Sequence, residues 1–332
     1  MDNFVGGGYT VEEQMRYFAA EQEKKALRRA AWAVCVPGMV FFFVTLFWSQ
    51  IVLSVCAELG LDKNSVLETL RNPAVLQIIE VCLSLLLLTV PFVICAKIAG
   101  FNISSGAGLI KPQSENNFAY FLFGLGFCSF ANIAVSAAGR IFQSFGINYS
   151  APKNEDPEGV FGFLLVVVST AIVPALVEEF AFRGIVFGLL KPFGEAFAII
   201  ASAAVFGVLH GNFDQIPFAF LVGLILGFVR AKTNSLVICM LIHAANNFIA
   251  TLISYSSFAP AALVNILYTV YIMLALTLSV LSVAYLKGKN AFALKKADTV
   301  NTLKKTYFNF FLSPAFIIFF LLFMQRAVEY IF

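Results

Sequence analysis

Nine times along this chain an apolar run approaches or reaches the roughly 20 residues that a helix needs to cross a bilayer. The runs cover 30–55, 75–96, 118–138, 160–190, 196–209, 216–229, 236–253 and 262–286, with a ninth at 308–324. Hydrocarbon offers backbone amides no water, so segments of this kind are expected as helices, whose hydrogen bonds close internally. The expected fold is therefore all-α: a polytopic membrane helical bundle of eight or nine transmembrane helices. Composition removes the soluble alternative, because 60% of the 332 residues are hydrophobic and only 12% are charged. A soluble domain of that size needs a larger charged surface. The runs 196–209 and 216–229 are short for a full crossing, so their ends are expected in polar space lined by protein.

Lys and Arg set the orientation. With the N-terminus in the cytoplasm, the inner side collects Arg16, Lys24, Lys25, Arg28, Arg29, Lys97, Lys111, Arg183, Lys191, Arg230 and Lys232. The lysines of 287–305 join them, while Lys63, Arg71, Arg140, Lys153 and Arg326 remain outside. The chain then divides into a cytoplasmic segment 1–29, helices within 30–154, a core 155–255, and C-terminal helices with a basic cytoplasmic loop within 256–332. The stretch 11–31 reads as a charged helix on the inner surface or as a solvated tail. A net charge of +3 without a basic patch interleaved with aromatics points to no nucleic-acid partner. The six cysteines show no paired spacing and read as small buried thiols. "GIVFG" (184–188) and "GLILG" (223–227) put small residues four apart, where helices can approach closely.

Ionisable groups at membrane depth are costly and persist where they pair or work. "VPALVEEFAFRG" (173–184) places Glu178, Glu179 and Arg183 inside an apolar run, and the only two histidines, His210 and His243, lie in or at the end of others. The turn "KPFGE" (191–195) separates Glu178 and His210 symmetrically, so each lies roughly 24 Å along its helix from that turn. His243 is roughly 15 Å beyond the polar turn "RAKTNS", close enough in depth for one shared layer.

Helical spacing divides the labour. Glu179 and Arg183 are i and i+4 with the acid first, the favourable order for an ion pair. Glu178 is rotated about 100° away, free to face a site, where apolar surroundings suit a general base or acid. The alternative is a pair of structural carboxylates bridging helices. His243 and Asn247 share a face, and an imidazole beside a carboxamide suits a developing oxyanion. Asn246 points elsewhere and is expected to join helices. Phe206, one turn before His210, is a candidate apolar wall of the substrate cavity.

Together these residues resemble the CPBP family, the CAAX proteases and bacteriocin-processing enzymes that include the type II CAAX prenyl endopeptidase and ABI-like proteins. The family pattern E-E-x-x-x-R, F-x-x-x-H and H-x-x-x-N reads here as "EEFAFR" (178–183), "FGVLH" (206–210) and "HAANN" (243–247). The resemblance implies an intramembrane endopeptidase in which Glu178 and His210 activate water while His243 and Asn247 hold the oxyanion. It implies a peptide or lipid-modified protein as substrate, membrane lipid as surroundings, and a bacterial-type cell membrane as location. Both a metal-free glutamate protease and a metalloprotease fit these residues. Glu178, His210 and His243 could supply a His₂Glu zinc site, with Cys239 one turn from His243 as a further ligand. The absence of H-E-x-x-H favours the metal-free version. Two other classes fit the same residues: a non-catalytic scaffold or regulator of the same fold, and a proton-coupled transporter. Transport is disfavoured because the polar residues are confined to the second half, whereas transporters often match interrupted helices in two halves.

Overall fold

The computed structural model describes residues 10–108, 114–149, 155–255 and 260–331. Lys111, Lys153 and part of the acidic stretch 139–159 lie outside the described residues. Among the described residues the elements are helices, apart from one isolated bridge between Tyr149 and Ile331. Seven helices are long and apolar enough to cross a membrane, or eight if one bent pair counts as a span. The protein is an integral membrane helical bundle.

The first helix, α1 (Val11–Glu58), is a single 48-residue element opened by a reciprocal capping box between Thr10 and Glu13. The charged stretch and the first apolar run are therefore continuous. At about 1.5 Å per residue, α1 is far longer than a bilayer core is thick, so its charged end projects beyond it. Next come α2 (Lys63–Arg71), capped by Asp62, and α3 (Pro73–Leu87), capped by Asn72 with Pro73 in the first turn. The second span continues through α4 (Val90–Ile98), a break introduced just before Pro91. After the short α5 (Ile103–Gly106) comes α6 (Asn117–Ser144).

The fourth span is irregular. It begins as α7 (Gly159–Val167), widens into a π-helical turn at Val168–Ile172, and continues as α8 (Val173–Glu178). A second π-helical segment, Glu179–Val186, leads into α9 (Phe187–Leu190). Single π turns inside α-helices recur at functional sites.

The fifth run forms α10 (Glu195–Leu209), 15 residues and too short for a crossing of its own. It stops because Gly211 takes φ +61°, and the polar turn there leads into α11 (Ile216–Thr233). A Cβ on Gly223 would lie 2.9 Å from Ala203, so the α10–α11 hairpin is as tight as the small-residue pattern requires. Then follow α12 (Leu236–Ser254), capped by Ser235, and α13 (Ala261–Gly288). The ninth run resolves into α14 (Leu303–Phe311) and α15 (Pro314–Val328), bent by 55° at Leu312–Ser313.

Cross-chain contacts fix which ends lie together. Glu23 accepts from the backbone of Val300 and Asn301, and Glu195 accepts from Lys295 N, so α1, α10 and the loop before α14 share one end. The Tyr149–Ile331 bridge, and Tyr255 donating to Pro157 O, belong to the other. This alternation is the one the Lys and Arg distribution predicts. The larger core lies between α1, α4, the fourth span, α10 and α15, and holds Phe182, Phe187, Phe197 and Phe319.

Candidate active site

The two adjacent glutamates have opposite environments. Glu179 is fully buried, and its Oε1 accepts from Arg183 Nη1 at 3.0 Å and from His243 Nδ1 at 2.8 Å. Glu178 is partly exposed, its Oε2 3.9 Å from His243 Nε2. Glu179 is thus paired inside the protein with Arg183, while Glu178 lies on the wall of a cavity. The helical geometry of one segment could not reveal that the counter-ion also holds His243, 64 residues away.

Phe206 organises the same cluster. Its buried ring lies 4.3 Å from the Arg183 guanidinium, meets His210 edge-on at 4.9 Å and His243 at 6.3 Å. The Nε and Nη2 of Arg183 have no hydrogen-bond partner, so the aromatic face supplies part of what water would give the cation. Phe206 therefore does more than wall a cavity. It braces the arginine, and through it the carboxylate that holds His243.

The tautomers follow from the partners. His210 Nδ1 lies 2.9 Å from Phe206 O, a carbonyl that can only accept, so Nδ1 carries the proton. Ionised Glu179 likewise fixes a proton on His243 Nδ1. In its neutral form each imidazole then keeps a lone pair on Nε2. His210 has its place because α10 ends there, at the Gly211 turn. Asn212 secures that turn by donating to His210 O and accepting from Gln215 N.

Asn247 is fixed by the irregular fourth span. Pro174 has no N–H to give the Thr170 carbonyl four residues earlier, and Asn247 Nδ2 donates to that carbonyl at 3.0 Å. Asn246 Nδ2 donates to Asn247 Oδ1, and Asn132 Nδ2 donates to Asn246 Oδ1. This amide chain orients Asn247 so that one N–H binds Thr170 O and the second remains available. Asn246 does join helices, as its position suggests, by bridging α12 to α6.

Glu178, Phe206, His210, His243 and Asn247 line one cavity of about 310 Å³. Glu179 and Arg183 lie behind that wall. Thr170, Pro174 and Gln215 also line it, and the sequence reading did not select them. A proline inside an apolar run, four residues after a threonine, was the available signal for the first two. Gln215 lay within a polar turn whose position said nothing of its direction.

A zinc site receives no support from the donor geometry. Among the described residues, no group of three His, Cys, Asp or Glu side chains is placed to hold a metal ion. Cys239 faces away, its thiol directed at Leu226 O and Ser235 O. Glu178 and the two Nε2 atoms instead form a set of acceptors, with the second Asn247 N–H as donor. Such a set can bind and deprotonate water and answer a developing negative charge.

Residues 160–249 match the family model of the type II CAAX prenyl endopeptidase, Rce1-like. That segment contains all three quoted motifs, and it supports the resemblance to the CPBP and CAAX proteases that they carry. No curated protein and no solved structure gives a significant match to the chain.

Proposed function

We propose that the Rce1-like segment makes this chain an intramembrane endopeptidase that hydrolyses a peptide bond in a membrane-associated peptide or a lipid-modified protein. The observation that carries the reading is the convergence of Glu178, His210, His243 and Asn247 on one cavity, on a segment matched by a protease family.

In this mechanism a water donates its protons towards the Glu178 carboxylate and the His210 Nε2 lone pair, and its oxygen attacks the scissile carbonyl. The tetrahedral oxyanion accepts from the free Asn247 N–H. His243 lines the same cavity and adds a second donor when its Nε2 carries a proton. Collapse of the intermediate breaks the C–N bond, and the proton taken from water passes to the leaving amine. No step is routed through a metal. We place the N-terminus and the 287–305 loop on the cytoplasmic side of a cell membrane, where the lysines lie.

The test uses purified wild type, Glu178→Gln, His210→Ala and Asn247→Ala with a peptide pool that includes prenylated members, products being identified by mass spectrometry. Wild type should cleave and the variants should be impaired. Identical product profiles for all four would remove proteolysis at this cavity. Metal analysis and a chelator arm accompany it: activity that persists without stoichiometric metal supports the glutamate version. Zinc lost together with activity in His210→Ala would replace it with a metalloprotease.

A further inference from the structure

A second cavity abuts the reaction cavity, and Asn246 is the wall between them. It has a volume of about 280 Å³, lies between α6, α12 and α13, and reaches Ser254 at the end of α12. Asn246 lines both cavities and is only 7% exposed. The second cavity lies within membrane-spanning helices and has mixed walls: Ser129, Asn132, Tyr268, Tyr271 and Ser254 contribute polar groups beside Ile249, Ala250, Ile253 and Ile272. The Ser129 hydroxyl lies 3.4 Å from Tyr271 OH. Apolar cavities stay dry, whereas cavities with several hydroxyl and amide groups hold water. At about 30 Å³ per molecule there is room for several waters.

We propose that this cavity is the water supply of the reaction site, with the Asn246 carboxamide as the relay between the two. A carboxamide offers two N–H groups and two lone pairs. Asn132 uses one lone pair and Asn247 accepts from one N–H, which leaves one donor and one acceptor position for water on the two sides. The need for such a route rests on the hydrolytic reading. Each turnover consumes one water: its hydroxyl joins the carbonyl carbon and its proton joins the leaving nitrogen. A bound peptide fills a reaction cavity of about 310 Å³, so the opening that admits substrate is closed to water during the reaction. A second cavity carrying hydroxyl and amide groups on the far side of Asn246 replenishes the site from a side that substrate does not occupy. The compartment also explains why a chain of amides and hydroxyls extends well past Asn247 towards the α12 terminus.

The test separates wetness from catalysis. Protein in lipid nanodiscs is exposed to X-ray radiolysis, which generates hydroxyl radicals from resident water, and oxidation is read residue by residue by mass spectrometry. Tyr271 should oxidise several-fold faster than Phe130, a lipid-exposed aromatic of α6 outside this cavity. Ala250→Leu and Asn132→Leu, which fill the cavity from different helices, should both suppress Tyr271 oxidation. Both should lower kcat several-fold with KM unchanged, while Ala250→Ser should preserve each quantity. A Tyr271 no more reactive than Phe130 overturns the inference, as does a filled, dry cavity with wild-type kcat. A wet cavity in a wild type that cleaves nothing overturns the proteolytic reading and leaves the cavity assignment standing.

Discussion

His243 Nδ1 and Glu179 Oε1 lie 2.8 Å apart, and the same oxygen accepts from Arg183. One buried carboxylate thus balances the membrane-embedded arginine and fixes which imidazole nitrogen faces the cavity. Glu178, its immediate neighbour, instead approaches the other nitrogen of the same ring, with Oε2 3.9 Å from His243 Nε2. Two adjacent and chemically identical residues are divided between a buried cluster and the cavity wall by the direction each leaves the helix.

Replacement of the two glutamates should therefore give different failures. Glu178→Gln should abolish turnover while the protein melts near the wild-type temperature. Glu179→Gln should strand Arg183 and loosen His243, at a cost of about 3–5 kcal/mol for a broken buried pair. Folded yield and Tm in detergent, measured beside turnover, check the division. Full turnover in Glu178→Gln would end its assignment as the base.

Asn247→Ala should lower kcat by about a hundred- to a thousand-fold, the range for loss of one oxyanion donor, with KM nearly unchanged. The Thr170 carbonyl loses its side-chain donor in the same variant, so Tm should also be measured. A rise in KM at constant kcat would assign Asn247 to substrate binding.

Phe206→Leu should keep an apolar, though smaller, side chain at this buried position and remove the aromatic face over Arg183. A loss of roughly 2 kcal/mol is expected for a desolvated cation–π contact. The cluster behind the cavity should loosen, so Tm and turnover should fall together. A wild-type Tm would show that the guanidinium is stabilised by something other than the ring.

Gly211→Ala should displace His210. The site has φ +61°, and a Cβ there would lie 3.3 Å from the Phe323 ring and from Arg326 Cδ. The left-handed conformation alone costs an L-residue about 1–2 kcal/mol. Turnover should fall more than stability does, because the strained turn carries the histidine. An unchanged kcat would show that the turn relaxes without moving it.

Sidedness can be read with an impermeant thiol reagent on intact cells. Cysteines replacing Arg16 and Lys289, both exposed, should be protected together, while one replacing Lys63 should react. The contacts of Glu23 with Val300 and Asn301 tie the first two positions to one end of the bundle. Labelling of the Lys289 position from outside would invert the orientation.

Features that follow from hydropathy and from regular helical pitch were legible along the chain. Bilayer-length apolar runs required helices because hydrocarbon leaves no other way to satisfy the backbone. The 3.6-residue turn paired Glu179 with Arg183 and put His243 beside Asn247. Counting outward from the turn at 191–195 set Glu178 and His210 at one depth, and both line one cavity. Tertiary structure decided what each of those faces meets. The bond from His243 to Glu179, the Phe206 ring over Arg183 and the Asn132–Asn246 bridge join segments whose relative rotation no periodicity specifies. The two π-helical stretches of the fourth span shift every side chain beyond them by part of a turn, a change invisible to a count at constant pitch. Close approach decides such rotations: where Gly223 admits Ala203, only one docking of α11 on α10 avoids both overlap and void, and the facing side chains follow from it.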